Sequence, residues 1–250
     1  MEIHQVAILA ASFFIVATLY TTVGHAGASG YLAMMALAGL APETMRPTAL
    51  TLNIIVAALT VYRFHHARYF SWTGLWPFLL GSVPFAAAGG IQSLSRGTYY
   101  MAMGIVLLIA ASYLVWRAFG TRQIVEESVV RVMKFPAALI GCVIGFLSGL
   151  IGVGGGIFLS PILLLLGWAG PKTTAGISAP FILVNSAVAL AAGSLTVQKL
   201  PSELPLLAAA ALGGAFLGTW LGLERFKQRG LIVTLAAVMS LAGAKLMFTA

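Results

Sequence analysis

The residues of this chain that could do chemistry gather around two glycine-rich stretches. The first reads Gly24-His25-Ala26-Gly27-Ala28-Ser29-Gly30, and the second reads Gly149-Leu150-Ile151-Gly152-Val153-Gly154-Gly155-Gly156. Each interrupts an apolar run. A glycine-rich turn feeding a helix N-terminus presents backbone N–H groups and the positive end of the helix dipole to an anion. At bilayer depth such irregular backbone survives only where protein or a water-filled cavity satisfies its freed polar groups, so the same device is a broken helix beside a binding site. The alternative use of these glycines is close helix packing. Packing alone does not call for Gly154, Gly155 and Gly156 in succession, because each weakens a helix by about 1 kcal/mol.

His25 is the only ionisable side chain in either stretch. It either donates to an anion or relays a proton near neutral pH, or it is a hydrogen-bonded structural histidine. Asn53 and Asn185 occupy matched positions on the runs that follow the two stretches; they either donate amide N–H groups to substrate oxygens or bond helix to helix. The candidate substrate ligands are therefore Gly24, His25, Gly27, Asn53, Gly152, Gly154, Gly155, Gly156 and Asn185. Arg46 and Lys172 precede those asparagines and serve either to attract anions into a vestibule or as interfacial anchors. Thr51 and Ser178 add hydroxyls nearby. The six acids, Glu2, Glu43, Glu126, Glu127, Glu203 and Glu224, all lie outside the apolar runs. The carboxylate relay of many pumps is thus missing, and a cation would lack a negative partner in low dielectric. Anion uniport, or coupling to a proton or sodium through His25 or backbone carbonyls, suits this inventory. Cys142 stands alone, which excludes an internal disulfide and a cysteine-cluster metal site; neither metal nor cofactor is expected.

These residues must be positioned by membrane helices. The chain has 250 residues, 60% hydrophobic and 8% charged, against about 25% charged in an ordinary soluble domain. This is an all-α integral membrane protein, with the lipid bilayer as its surroundings. A net charge of +8 would suggest nucleic acid in a soluble protein, but here Lys and Arg sit at the ends of apolar runs, as the positive-inside rule requires. No nucleic-acid partner is expected. The run from Val6 to Tyr20 lacks a cationic flank and a small-residue cleavage site, so it is expected to be a retained span. One transporter-like membrane domain is expected to fill residues 1–250.

Apolar windows of about 20 residues cross a bilayer. The first run, 3–20, is broken at 24–30, and 31–40 is too short to cross alone. Helices follow at 42–62, 72–91 and 99–116. The pattern restarts after a polar bridge at 117–134: 135–149 is apolar, 152–156 breaks it, 157–168 is short, and spans follow at 175–195, 204–222 and 230–248. Gly24 and Gly39 match Gly152 and Gly167 at a separation of 128, while Asn53, Gly81 and Gly90 match Asn185, Gly213 and Gly222 at 132. An internal duplication is expected, with halves 1–120 and 134–250 joined by the loop 117–134. With the basic loops 63–68, 117–134 and 225–229 placed in the cytoplasm, the first broken segment has both ends outside and the second has both ends inside. The expected fold is an inverted-repeat helical bundle, each half a broken or re-entrant hairpin plus three transmembrane helices, which is an architecture of secondary transporters.

The second glycine stretch followed by Pro161, Gly167 and Pro171, with a degenerate earlier copy from Gly24 to Gly30 leading to Pro42, resembles the sulfite exporter TauE/SafE family over essentially the whole chain. The resemblance implies a multi-spanning carrier of sulfite, sulfonates or related small sulfur-containing anions in the bacterial inner membrane, with the glycine breaks on the transport path. The first copy departs from the motif, with His25-Ala26-Gly27-Ala28 where the second has Val153-Gly154-Gly155-Gly156. Other small organic anions are the alternative substrates. A membrane enzyme would need clustered acids or histidines, and only Arg63-Phe64-His65-His66-Ala67-Arg68 comes near, with no acid partner. A non-transport assembly factor would show no solute-dependent stabilisation.

Overall fold

A computed structural model describes residues 3–119, 130–194, 200–224 and 229–249, which form ten helices. They are α1 (Ile3–Thr21), α2 (Ala28–Leu37), α3 (Pro42–His66), α4 (Trp72–Ile91), α5 (Arg96–Phe119), α6 (Lys134–Ile151), α7 (Gly156–Leu165), α8 (Pro171–Gly193), α9 (Leu204–Glu224) and α10 (Arg229–Thr249). Among the described residues the fold is all helix. Much of the expected polar bridge at 117–134 and most of the basic loop at 225–229 lie outside the described residues.

Local chemistry sets the boundaries. Pro42 and Pro171 open α3 and α8 at the first turn, where a missing N–H costs nothing. Ser71 caps α4 by accepting from the Gly74 amide at 3.2 Å. The breaks between α1 and α2 and between α6 and α7 fall where glycines enter the left-handed region. Gly24 and Gly152 have φ of 80° and 89°, and Gly27 and Gly155, the residues preceding α2 and α7, have φ of 101° and 82°. Both pairs are 128 residues apart, as are Gly39 and Gly167, which are left-handed just beyond α2 and α7. A side chain at such positions costs about 1–2 kcal/mol, so glycine ends one helix and starts the next at the same steps in both halves.

Six helices, α1, α3, α4, α6, α8 and α9, are long and apolar enough to cross a membrane. At 24 and 21 residues, α5 and α10 also have the length. The helices α2 and α7 have 10 residues each, about 15 Å at 1.5 Å per residue, half the hydrocarbon thickness. The segment α6–α7 returns toward its starting face, because the Arg131 amide just before α6 donates to the Trp168 carbonyl just after α7 at 2.9 Å.

Helix packing relies on absent side chains. Gly141, Gly145 and Gly149 recur every fourth residue along α6 and lie against the backbone of Phe78, Ser82 and Ala86 on α4, while Gly81 and Gly89 of α4 approach α6 in return. Gly214, Gly218 and Gly222 of α9 meet the backbone of Phe14, Thr18 and Thr22 of α1 in the same manner. This is the small-xxx-small contact that lets membrane helices approach closely. The pairings between halves have a simple order: α4 packs on α6 as α9 does on α1, α4 on α8 as α9 on α3, and α2 on α10 as α7 on α5, while α3 with α8 and α5 with α10 are self-counterparts. Each pairing is recovered by exchanging every helix with the one five places along.

Candidate functional site

The two breaks meet at the centre of the bundle. The first break lies against α8, since a Cβ on Gly24 would overlap Ala175. The second lies against α3, since a Cβ on Gly152 would stand 3.0 Å from the Arg46 Cγ. A Cβ on Gly154 would overlap the Asn53 amide and stand 2.9 Å from the Ser186 Oγ. Each broken segment is therefore seated on the long helix of the other half.

Between them is a small cavity lined by Tyr20, the residues 25–29 of the first break, Asn53 of α3, Val153 of the second break, Ile157 of α7 and Ile182 of α8. It has room for the centre of one water-sized particle, about 10 Å³. An oxyanion of four or more heavy atoms enters only if the lining moves apart. No Lys, Arg, Asp or Glu is among its lining residues. Its polarity comes from His25, Tyr20, Ser29 and Asn53 and from the first turns of α2 and α7, whose amides have no acceptor within their own helix.

The side chains are tied across the breaks. His25 is 2% exposed, and its Nε2 lies 3.0 Å from the Gly156 carbonyl and 2.7 Å from the Ser160 Oγ, both on α7. A carbonyl only accepts, so Nε2 carries the proton in that contact. Ser160 continues to the Ser178 Oγ on α8 at 2.8 Å. One buried chain thus runs from the first break through α7 to α8. Tyr20, whose ring centroid lies 6.2 Å from that of His25, pairs with Ser29 at 2.7 Å and donates to the Met239 sulfur at 2.9 Å. Tyr99 donates to the Ile151 carbonyl at 3.0 Å, which satisfies one acceptor freed where α6 ends.

The asparagines diverge. Asn53 Nδ2 donates to the Ser186 Oγ at 3.2 Å and so links α3 to α8, while Asn185 Nδ2 donates back to the Phe181 carbonyl of its own helix at 2.8 Å. Both are fully buried, and both Oδ1 atoms lack a partner. Arg46 is engaged away from the cavity: its guanidinium donates to the carbonyls of Gly89, Gly90 and Gln92 and caps the end of α4. Lys172 lies over the Tyr69 ring and donates to its hydroxyl at 3.3 Å. Thr51 donates to the Pro47 carbonyl one turn back on α3. Of the four vestibule candidates, Arg46, Lys172 and Thr51 have these other contacts, and Ser178 belongs to the buried chain from His25. Gly24, Gly27, Gly152, Gly154, Gly155 and Gly156 all lie in or beside the breaks. Ser160, Ser29, Tyr20 and Ser186 join the cluster without having been singled out from the sequence. Ser160 carried a signal, since it is the sole hydroxyl in α7.

Paired broken helices converging on a buried polar cavity within a multi-pass bundle are an arrangement of membrane transporters. Residues 9–246 match the family model described as Sulfite exporter TauE/SafE, and the chain belongs to that family. It is 36% identical over 244 residues to "Probable membrane transporter protein y4hK" of Sinorhizobium fredii (strain NBRC 101917 / NGR234), an alignment that covers 96% of this chain and 97% of that protein. No solved structure matches.

Proposed function

We propose that this transporter carries small sulfur-containing oxyanions, sulfite or sulfonates, across the bacterial inner membrane, with substrate held between the two breaks. The observation that carries this is the convergence of two helix N-termini on one cavity without a charged side chain. Half-helix N-termini are the means by which transporters hold anionic groups at the bilayer midplane, and the family's description supplies the sulfur chemistry. The ligands in this proposal are the backbone at Gly24, Gly27 and Gly152 to Gly156, with His25, Asn53 and Asn185 around it.

The proposal includes a pseudo-two-fold axis in the membrane plane relating halves 1–120 and 134–250. Its support is the exchange-related helix pairings, the left-handed glycines repeated at 128, and the grouping of cations. Lys134 stacks on Trp76, and Lys172 on Tyr69, so the starts of α4, α6 and α8 share a basic face that the positive-inside rule assigns to the cytoplasm.

Thermal unfolding of purified protein against sulfite, methanesulfonate, acetate and chloride tests the substrate class, coupled to influx of labelled sulfite into proteoliposomes. A ligand at 100 times its dissociation constant stabilises by about 2.7 kcal/mol. Stabilisation by the sulfur anions together with sulfite influx is expected. Stabilisation by acetate alone, or the absence of sulfite influx, would reject the assignment.

A further inference from the structure

We propose that the cavity between the breaks is matched to a monoanion that carries its own O–H, hydrogen sulfite being the small sulfur oxyanion of that kind, and that Asn53 selects it. This rests on the proposed transport of sulfur oxyanions. Charge is the first consideration. Each helix N-terminus is equivalent to about half a positive charge, and the two that reach the cavity, with Ala28 and Ser29 of α2 and Ile157 of α7 in its lining, together offset about one negative charge. The nearby cations do not add to this. Arg46 serves the α4 carbonyls, Lys172 serves Tyr69, and the Lys245 Nζ donates to the Ala36 and Leu37 carbonyls at the far end of α2. A dianion such as sulfate or fully ionised sulfite would leave about one charge uncompensated in a water-poor site, which is costly.

The second consideration is the hydrogen-bond inventory. Backbone amides supply donors, and an anion's oxygens only accept. His25, with its proton on Nε2, keeps an acceptor at its other ring nitrogen, and the Asn53 Oδ1 is an acceptor without a partner on a fully buried side chain that lines the cavity. Its own Nδ2 is engaged by Ser186. An unpaired buried acceptor is expensive, and an O–H on the substrate satisfies it. Methanesulfonate has the right charge and no such proton. Sites built to bond a substrate O–H reject analogues lacking it far better than apolar pockets reject an added one.

Influx into wild-type proteoliposomes is measured for sulfite and methanesulfonate at about pH 6 and about pH 8, and sulfate is tried as a competitor. The titratable groups facing the cavity are His25 from the first break and Tyr20 from α1; α3, α7 and α8 present only Asn53, Ile157 and Ile182 to it. Imidazole titrates over this pH range, so methanesulfonate, which stays a monoanion, separates the substrate's ionisation from that of His25. At constant total sulfite, influx should fall several-fold from the lower to the higher pH, in step with the hydrogen sulfite fraction. Methanesulfonate influx should be weaker and nearly level, and sulfate should not compete. In Asn53→Ala the preference for sulfite over methanesulfonate at the lower pH should drop about tenfold.

Sulfite influx that is constant or rises with pH, or effective competition by sulfate, overturns the monoanion match while leaving sulfur-anion transport intact. A parallel fall for both anions assigns the pH dependence to the protein and overturns it as well. Equal effects of Asn53→Ala on both anions remove Asn53 from selection and leave its Oδ1 to an ordered water. Failure of every sulfur anion to enter would instead reject the proposed function itself. The wild-type measurements decide the charge match whether or not the Asn53 variant reconstitutes.

Discussion

The two breaks share a backbone and differ in what they carry. Gly24 and Gly152, then Gly27 and Gly155, take the same left-handed turns at the same steps. Yet the first break presents His25 with Tyr20 before it and Ser29 after it, where the second has Val153, Ser148 and Ile157 in the corresponding places. The first is bonded through side chains to α7 and Met239. The second is held by close packing: added side-chain atoms at Gly154, Gly155 and Gly156 would run into Asn53, Phe181 and Ile182. The repeated left-handed turns end one helix and start the next at both breaks, a geometry that glycine permits whatever side chains surround it. Side-chain chemistry is free to separate, since one cavity needs only one set of polar walls.

The largest expected effect is all-or-none and concerns whether the breaks are inverted. Glu43 and Pro171 are exposed at the starts of α3 and α8. In a Cys142→Ala background, Glu43→Cys and Pro171→Cys should react with a membrane-impermeant maleimide from opposite sides of the membrane. Labelling of both from one side would show that the breaks open to a common face and would end the two-fold comparison.

Substitution within the shared geometry comes next. Gly155→Leu forces a side chain into a left-handed position, at about 1–2 kcal/mol. The new Cβ would also stand 2.8 Å from both Ile144 and Phe181, and overpacking typically costs a further 1–3 kcal/mol or so. Gly27→Leu faces the same backbone constraint, with its Cβ 3.0 Å from the Tyr31 ring. Both variants should lose sulfite influx to background and unfold at lower temperature, whereas Gly213→Ala, whose Cβ would rest in ordinary contact 3.5 Å from the Phe14 ring, should match wild type. Near-normal influx through Gly155→Leu with severe loss in Gly27→Leu would place the path at the first break alone.

Much of this architecture was legible in the sequence because its determinants are local. Glycine clusters in apolar runs, prolines at helix starts and charges at run ends place the ten helices to within a few residues, and α2 and α7 were recognisably too short to cross. Partners across the bundle were not legible. His25 finds Gly156 and Ser160 more than a hundred residues away, a contact fixed by how the first break meets α7 and by no local pattern. The matched asparagines show the same limit, because Asn53 has Ser186 opposite it and Asn185 turns back to Phe181. Arg46 read equally well as a vestibule cation or an anchor; its place on the α4 carbonyls depends on where α4 ends in space. The glycines of α4 and α9 served as markers of the repeat, and the structure adds that most of them are helix contacts.

A smaller effect is expected where the breaks differ. His25→Ala leaves the Gly156 carbonyl and the Ser160 hydroxyl to find other partners in a buried site, at about 1–3 kcal/mol per orphaned group. For a chain of this size about 1 kcal/mol lowers Tm by roughly 2–4 °C, so His25→Ala should lose about 5–10 °C. Val153→Ala, at the matched position, removes only methyl groups and should lose a few degrees. Equal losses in the two variants would mean that the polar link adds nothing beyond filled volume.

The smallest effect separates the two hydroxyls of the His25 chain. Ser160 touches both the His25 Nε2 and the Ser178 Oγ, while Ser178 touches the chain only through Ser160. Interhelical hydrogen bonds in membranes average about 0.6 kcal/mol and reach about 1.7, so Ser178→Ala should cost well under 2 kcal/mol and Ser160→Ala somewhat more. If the chain acts as a unit, removing Ser160 already forfeits what Ser178 contributes, and the double variant should be no less stable than Ser160→Ala. Independent packing roles would instead give additive losses, as sites without shared partners do within about 0.5 kcal/mol. The same cycle built on His25→Ala should show Ser178→Ala nearly silent only if α8 senses the first break through Ser160. Additivity in both cycles would reduce the chain to two separate contacts and leave backbone packing at Gly24 and Ala175 as the connection between the first break and α8.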